Sequence, residues 1–489
     1  MTSTGPDGFR ADERMDAAPL VAAPSREDPV ARLASGVVGG PAGRRLAASR
    51  GFWRAATVLV LLAVAVLGGG VVQKQHCRAQ GWSTPDMFWH ACYSDIPVLY
   101  TSAHLGGVSP LGPVDALRSP DLGQPPLAAL AMWAVSAAVS GGNPAQAPRA
   151  FFDLSAGALA VALVVAVAAV AFAAGRRRSW DAAHVALAPV LLTAGLLSYE
   201  LLGVALVAAA LLAWSRGRAL AAGLLLGAAA GAAPAAAFLV VPVLALGLRA
   251  RAVRPALVLT VATAAVWVGV RLLVYPDLDA GIPDTWASWR DASPGYGSLW
   301  LVPSLIQQSR PPHVPFWPAL TALSASAATA ATLLGLVAVA VATFVLAFST
   351  RRRPRLAHVA LVAVAGCLIV LKSLPVQSSL LLLPLVALAG LRWRDHLLWA
   401  TTELAHFVGV WLFIAATNAP NRGMPAGFYL VLVVARLVGI GWLAAQAWRQ
   451  AANPLLDRVR EPVDGAEGED DPLAGPLRDR DDEELTQPA

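Results

Sequence analysis

Apolar runs of roughly 15 to 30 residues recur along this chain with arginine clusters between them, a length that lets a helix cross the hydrocarbon core of a bilayer. The pattern predicts an all-α integral membrane protein, a polytopic helical bundle. The runs lie near 55–72, 151–174, 183–199, 200–214, 219–233, 234–248, 255–275, 318–348, 356–371, 374–391, 396–416 and 427–447, which makes about twelve transmembrane helices. The two-residue alternation of a transmembrane barrel is missing, and alanine, valine and leucine dominate instead.

The arginines orient the bundle. They cluster at Arg44, Arg45, Arg50 and Arg54, at Arg176–Arg178, at Arg216 and Arg218, and at Arg249, Arg251 and Arg254. Further clusters follow at Arg351–Arg353 with Arg355, and at Arg392 and Arg394. Placing all of them inside, as positive charge prefers, puts both termini in the cytoplasm and leaves two large extracytoplasmic loops, about 73–124 and 276–316. Residues 125–140 resist this scheme, being apolar but short and opening on Pro125-Pro126. They read as a re-entrant or interfacial helix; the alternative is that they cross and that one run between 183 and 248 is not a separate span. Residues 1–50 read as a disordered cytoplasmic arm and 452–489 as a disordered acidic cytoplasmic tail, flanking a membrane domain at 51–451.

Composition sharpens the class. The chain is 57% hydrophobic and 14% charged, with mean hydropathy +0.59, against roughly 25% charged residues in soluble domains. The net charge of +6 sits at helix ends, so the partners it points to are membrane lipids and not nucleic acid. No P-loop or nucleotide-binding glycine motif is visible, which argues against an ATP-driven pump. No cleavable signal peptide is apparent, because the first apolar run begins too late. Of three cysteines, Cys367 falls in an apolar run, whereas Cys77 and Cys92 share the first external loop. An oxidising compartment would permit a disulfide there; two unpaired thiols are the alternative.

Candidate chemistry gathers in the external loops. Asp95, in Cys92-Tyr93-Ser94-Asp95-Ile96-Pro97, is placed to act as a base at the membrane surface; equally, it could cap an interfacial helix with Pro97 fixing its start. Lys372, one of two lysines, stands at the outer end of a span, where a phosphate would balance its charge or headgroups would solvate it. Glu200 is the single acidic residue between Asp181 and Asp277 and either caps an outer turn or lines a substrate cavity. His104, Arg118, Trp286, Trp289 and Arg290 suit sugar stacking and phosphate binding, though tryptophans also populate interfacial belts. His90, His104, His184, His313, His358, His396 and His406 show no metal-ligand spacing, so neither a metal nor another cofactor is expected.

Several segments, taken in order, resemble actinobacterial members of glycosyltransferase family 87. The motif Cys92-Tyr93-Ser94-Asp95-Ile96-Pro97 follows the first span. Gln124-Pro125-Pro126-Leu127 stands where the family has a Tyr-Pro motif, and Arg216-Gly217-Arg218 precedes the glycine-bearing run Ala222–Gly227. Gly297-Ser298-Leu299-Trp300 matches a late external loop, and Lys372 through Gln377, Leu382–Leu385 and Arg392–Asp395 match the closing helices. The resemblance covers roughly 52–450. It implies a GT-C-like bundle that transfers mannose, or another hexose, from a polyprenyl-phosphate carrier to an envelope glycolipid or polysaccharide on the extracytoplasmic face. It also implies Asp95 as general base, with Lys372 and Gln377 in substrate binding. The chain departs from the family pattern at Gly123-Gln124, Ser198-Tyr199-Glu200 and Ala232-Ala233-Pro234-Ala235. Those departures motivate an alternative, a non-catalytic GT-C-like protein of an envelope complex. A lipid or polysaccharide transporter is a third reading, and it requires polar groups at mid-membrane depth.

Overall fold

The computed structural model describes residues 28–30, 33, 52–107, 123–139, 146–175, 178–275, 286–309, 321–419, 422–460 and 471–478. Most of the 1–50 arm and the candidate residue Arg118 lie outside these. Among the described residues every regular element is helical and none is a strand.

The chain begins with α1 (Phe52–Gln73), followed by the short helices α2 (Gln75–Gln80), α3 (Asp86–Trp89), α4 (Asp95–Ser102) and α5 (Pro126–Ser136). Next come α6 (Ala147–Ala173), α7 (Ala183–Ala186), α8 (Pro189–Ala194), α9 (Glu200–Ser215), α10 (Ala219–Ala232), α11 (Val240–Arg249) and α12 (Val253–Val274). Helix α13 spans 286–291. The order closes with α14 (Val302–Gln308), α15 (Ala325–Ser349), α16 (Leu356–Val370), α17 (Leu382–Ala389), α18 (Trp393–Asn418) and α19 (Ala426–Ala452).

Six helices, α1, α6, α12, α15, α18 and α19, are long and apolar enough to cross a bilayer. Their exposed faces are apolar too, with Leu61, Val161, Val261, Leu334, Val337 and Val438 all more than half exposed. Water does not favour so much contiguous apolar surface, but lipid does. The other apolar intervals hold shorter helices of 10–17 residues, or, at 183–199, the pair α7 and α8 broken at Leu187-Ala188 before Pro189. Proline removes a backbone donor and fixes φ, so the helix restarts there.

Small residues set how closely α10 and α12 approach. Gly223, Gly227 and Gly231 recur every four residues on one face of α10. A Cβ on Gly223 would lie 2.5 Å from the Leu259 carbonyl oxygen, and one on Gly227 equally close to that of Thr263. Thr263 Oγ1 donates to the Gly223 carbonyl at 3.2 Å, the close-packed geometry that dispersion and interhelical hydrogen bonds stabilise in membranes.

The bundle has two distinct ends. At one, Arg78 pairs with Asp153 at 2.7 Å, joining the first loop to the start of α6. At the other end sit Arg178, Arg249, Arg353 and Arg355. Here Arg249 Nη1 donates to Thr350 Oγ1 at 2.7 Å and Arg178 Nη1 to the Arg458 carbonyl at 3.0 Å. Two described tail segments, 453–460 and 471–478, pack against this end, where disorder was the expectation. Asp457, 1% exposed, accepts from Arg355 Nε and Nη2 at 2.7 and 2.9 Å. Asp471 caps the Leu356 amide at 3.2 Å. An arginine buried there needs a carboxylate, and the tail supplies it.

Candidate active site

The end opposite the arginines carries a cavity of about 270 Å³ lined by Phe88, Tyr93, Asp95, Tyr296, Gln377, His406 and Trp411 among others. This lies near the lower end of the range for small-ligand sites, roughly 300–1,000 Å³. Its aromatic walls pack on one another, with Tyr93 and Trp411 ring centroids 4.6 Å apart and Phe88 and Trp411 stacked at 6.0 Å.

Local backbone chemistry sets the direction of Asp95. Ser94, extended at φ −150° and ψ 133°, is the N-cap of α4, and its Oγ accepts from the Ile96 amide at 3.4 Å while donating to the Leu196 carbonyl at 2.7 Å. The Asp95 amide donates to the Leu197 carbonyl at 2.8 Å. Serine thus takes the capping role, which leaves the aspartate side chain for the cavity. Its Oδ1 accepts the Tyr93 hydroxyl at 2.7 Å, and Oδ2 faces Gln377 Nε2 at 3.5 Å.

Lys74 stands behind this pair, fully buried. Its ammonium donates to the Tyr93 carbonyl at 3.1 Å and Gln73 Oε1 at 3.2 Å, and lies 5.6 Å above the Phe407 ring. Burial pushes the Asp95 carboxyl above its ordinary value, opposed by the Tyr93 hydrogen bond and the Lys74 charge. Burial likewise lowers Lys74 to about 7, with Asp95 opposing. Desolvation thus raises the proton affinity of this carboxyl while one donor and one cation oppose the rise, and a general base needs a raised proton affinity.

The opposite wall, Leu374–Gln377, is fixed by Arg436. This residue donates to the Leu374 and Pro375 carbonyls at 2.5 and 3.0 Å, to Ser379 Oγ at 2.9 Å and to Glu403 Oε2 at 2.9 Å. Glu403 Oε1 accepts from Ser379 Oγ at 2.7 Å and Trp399 Nε1 at 3.1 Å. Gly297, at φ +75°, lets the 295–300 loop lie on this network, since a Cβ there would sit 2.5 Å from Arg436 Nη1. Its amide donates to the Tyr429 hydroxyl at 3.1 Å, and the neighbouring Tyr296 enters the cavity.

Of the residues singled out from sequence, Asp95 and Gln377 meet at the cavity. Lys372 does not join them. Its three donors go to the Trp289 and Arg290 carbonyls at 3.0 and 2.8 Å and to Thr329 Oγ1 at 2.8 Å. It therefore pins α13 to α15 and has no proton left for a phosphate. Trp286 and Trp289 adjoin on α13 at 5.3 Å, and Arg290 pairs with exposed Asp291 at 2.8 Å, all outside the cavity lining. Glu200 opens α9, its amide donating to Ser198 Oγ at 3.3 Å, and does not line the cavity either. His104 is an exposed residue in a left-handed turn at φ +54°.

Cys77 and Cys92 form a disulfide with Cα atoms 5.8 Å apart. Beside this disulfide, His76, Asp86 and His90 bring one ligand atom each within 4.8 Å of one another, a grouping that sequence spacing did not reveal. Also missed were Lys74 as the buried cation behind Asp95 and the Arg436–Glu403 pair. The signal for that pair was present, two ionisable residues of opposite sign inside apolar runs.

No protein-family model matches this chain, and neither does any curated protein or solved structure.

Proposed function

We propose that this chain is a membrane-embedded glycosyltransferase, moving mannose or another hexose from a polyprenyl-phosphate carrier to an envelope glycolipid or polysaccharide. Asp95 carries the reading: a carboxylate excused from helix capping, desolvated, tuned by Tyr93 and Lys74, and facing an aromatic-walled cavity with Gln377 beside it. In the proposed step an acceptor hydroxyl loses its proton to Asp95 Oδ2 as its oxygen bonds to the sugar C1. The C1–phosphate oxygen bond breaks with inversion, and polyprenyl phosphate departs. The rings of Tyr93, Tyr296 and Trp411 offer faces for the sugar.

The orientation belongs to the same reading. In it the arginine-bearing end faces the cytoplasm, both termini lie there, the chain crosses twelve times, six of them by shorter helices, and Asp95 is on the extracytoplasmic face of the cytoplasmic membrane. One observation favours the non-catalytic alternative, namely that Lys372 is wholly occupied within the protein. Purified protein given labelled polyprenyl-phosphate-mannose and an envelope lipid extract decides between them. The enzyme reading expects transfer that falls at least a hundredfold in Asp95→Asn with folding intact; transfer that survives this substitution removes Asp95 from the chemistry.

A further inference from the structure

The Cys77–Cys92 disulfide gathers a second polar centre, separate from the Asp95 cavity. His76 lies on α2, Asp86 opens α3 and His90 ends it. His76 Nε2 is 2.7 Å from Asp86 Oδ2, and His90 Nδ1 is 3.2 Å from Asp86 Oδ1. The two imidazoles stack with centroids 3.6 Å apart and planes 18° from parallel. The disulfide follows His76 directly and ends two residues after His90, so it fixes in space what the sequence separates.

From this geometry we infer that His76, Asp86 and His90 bind a divalent transition-metal ion of the zinc class. One ring nitrogen from each histidine and one carboxylate oxygen of Asp86 lie within 4.8 Å of one another, close enough for a single dication to take all three once the rings turn out of their stack and aim their in-plane lone pairs at it. Two nitrogens and one carboxylate oxygen are the donor set that zinc, cobalt and nickel accept, and magnesium or calcium would disfavour it. The side chains are 38%, 34% and 46% exposed, which leaves the rings room to turn out of the stack and bring the donors to roughly 2.0–2.2 Å from an ion, with water at the open position.

Such an ion has a structural consequence at the cavity. It ties α2 to α3, and α3 carries Phe88, a cavity wall residue, between Asp86 and His90. Trp89 anchors the same turn to the connection between α18 and α19, its Nε1 donating to the Arg422 carbonyl at 2.8 Å.

The test uses the full chain in detergent with any affinity tag removed, stripped by EDTA and dialysed against zinc chloride. Elemental analysis should find one zinc per chain. Affinity should fall at least tenfold in His76→Ala and in His90→Ala and remain unchanged in His104→Ala, which alters an exposed histidine elsewhere. Where an alanine variant does not fold, the glutamine variants His76→Gln and His90→Gln replace it. Cobalt(II) added to folded wild-type protein should give visible ligand-field bands that zinc abolishes. Folded wild type that binds no zinc and shows no cobalt bands overturns the inference, and so do variants that bind zinc as wild type does.

Discussion

Replacing Arg436 with methionine is the most demanding test of how the cavity wall is held. Arg436 and Glu403 are 0% and 1% exposed, and the guanidinium serves one carboxylate, one hydroxyl and the carbonyls of Leu374 and Pro375. Arg436→Met leaves the Glu403 carboxylate buried with only Ser379 and Trp399 as donors. Removing one member of a buried pair costs about 3–5 kcal/mol, whereas replacing both with apolar residues is often near neutral. The double variant Arg436→Met/Glu403→Leu should therefore recover much of the loss. Cys367, the free buried cysteine, is a built-in reporter, because a thiol-reactive fluorophore labels it only on unfolding. Extending the size trend of stability to a chain this long, roughly 1–2 °C per kcal/mol, gives a fall of about 3–10 °C for the single variant. A double variant no more stable than Arg436→Met, or a single variant as stable as wild type, refutes the argument that an unpaired buried charge is what the network prevents.

Three further outcomes follow from the geometry. Tyr93→Phe removes a donor that favours ionised Asp95, so its carboxyl rises further and the acid limb of the transfer rate moves to higher pH. A hydrogen bond to a charge is worth about 1.5–3 kcal/mol, which at 1.36 kcal/mol per unit is about one to two pH units; a limb that stays put or moves down contradicts the assignment. Cys77→Ser/Cys92→Ser should lower stability by about 3 kcal/mol for a loop with sequence separation 15. Unfolded wild type should alkylate at one cysteine without reductant and at three with it. Asp457→Asn strands Arg355 at the opposite end and should cost about 3 kcal/mol. Although burial raises the Asp457 carboxyl, Arg355 outweighs it and holds the group below its ordinary value. Its stabilisation is therefore present above the unfolded carboxylate range and lost as pH falls through the folded value, so the variant should lack that part of the wild-type acid sensitivity in a melting series.

The helical class and the two-ended charge distribution could be read from the chain because both are one-dimensional. Run length reports the bilayer, and the arginines at 216–218, 249–254 and 351–355 mark one end of the bundle. Asp95 was legible through its position after the first long helix. Its release from capping was not, because that depends on Ser94 reaching the Leu196 carbonyl, a contact between segments about a hundred residues apart. Lys372 misled for a related reason. A rare cation at a helix end invites an anion, but three oxygens from α13 and α15 had already claimed it. The His76, Asp86 and His90 cluster escaped because a disulfide gathers it, and no short spacing encodes that. Composition made the tail look solvated, yet Asp457 is the carboxylate that buried Arg355 requires, and Asp471 accepts the Leu356 amide.

That last contact sets an order of events in biosynthesis. Asp457 lies 102 residues beyond Arg355, so at roughly 5–20 residues per second a ribosome delivers it about 5–20 s later. Throughout that interval the newly inserted helices hold a guanidinium with no counter-charge. The end of the bundle that carries the arginines can close only after insertion is finished, which makes the arrival of the tail a checkpoint on assembly.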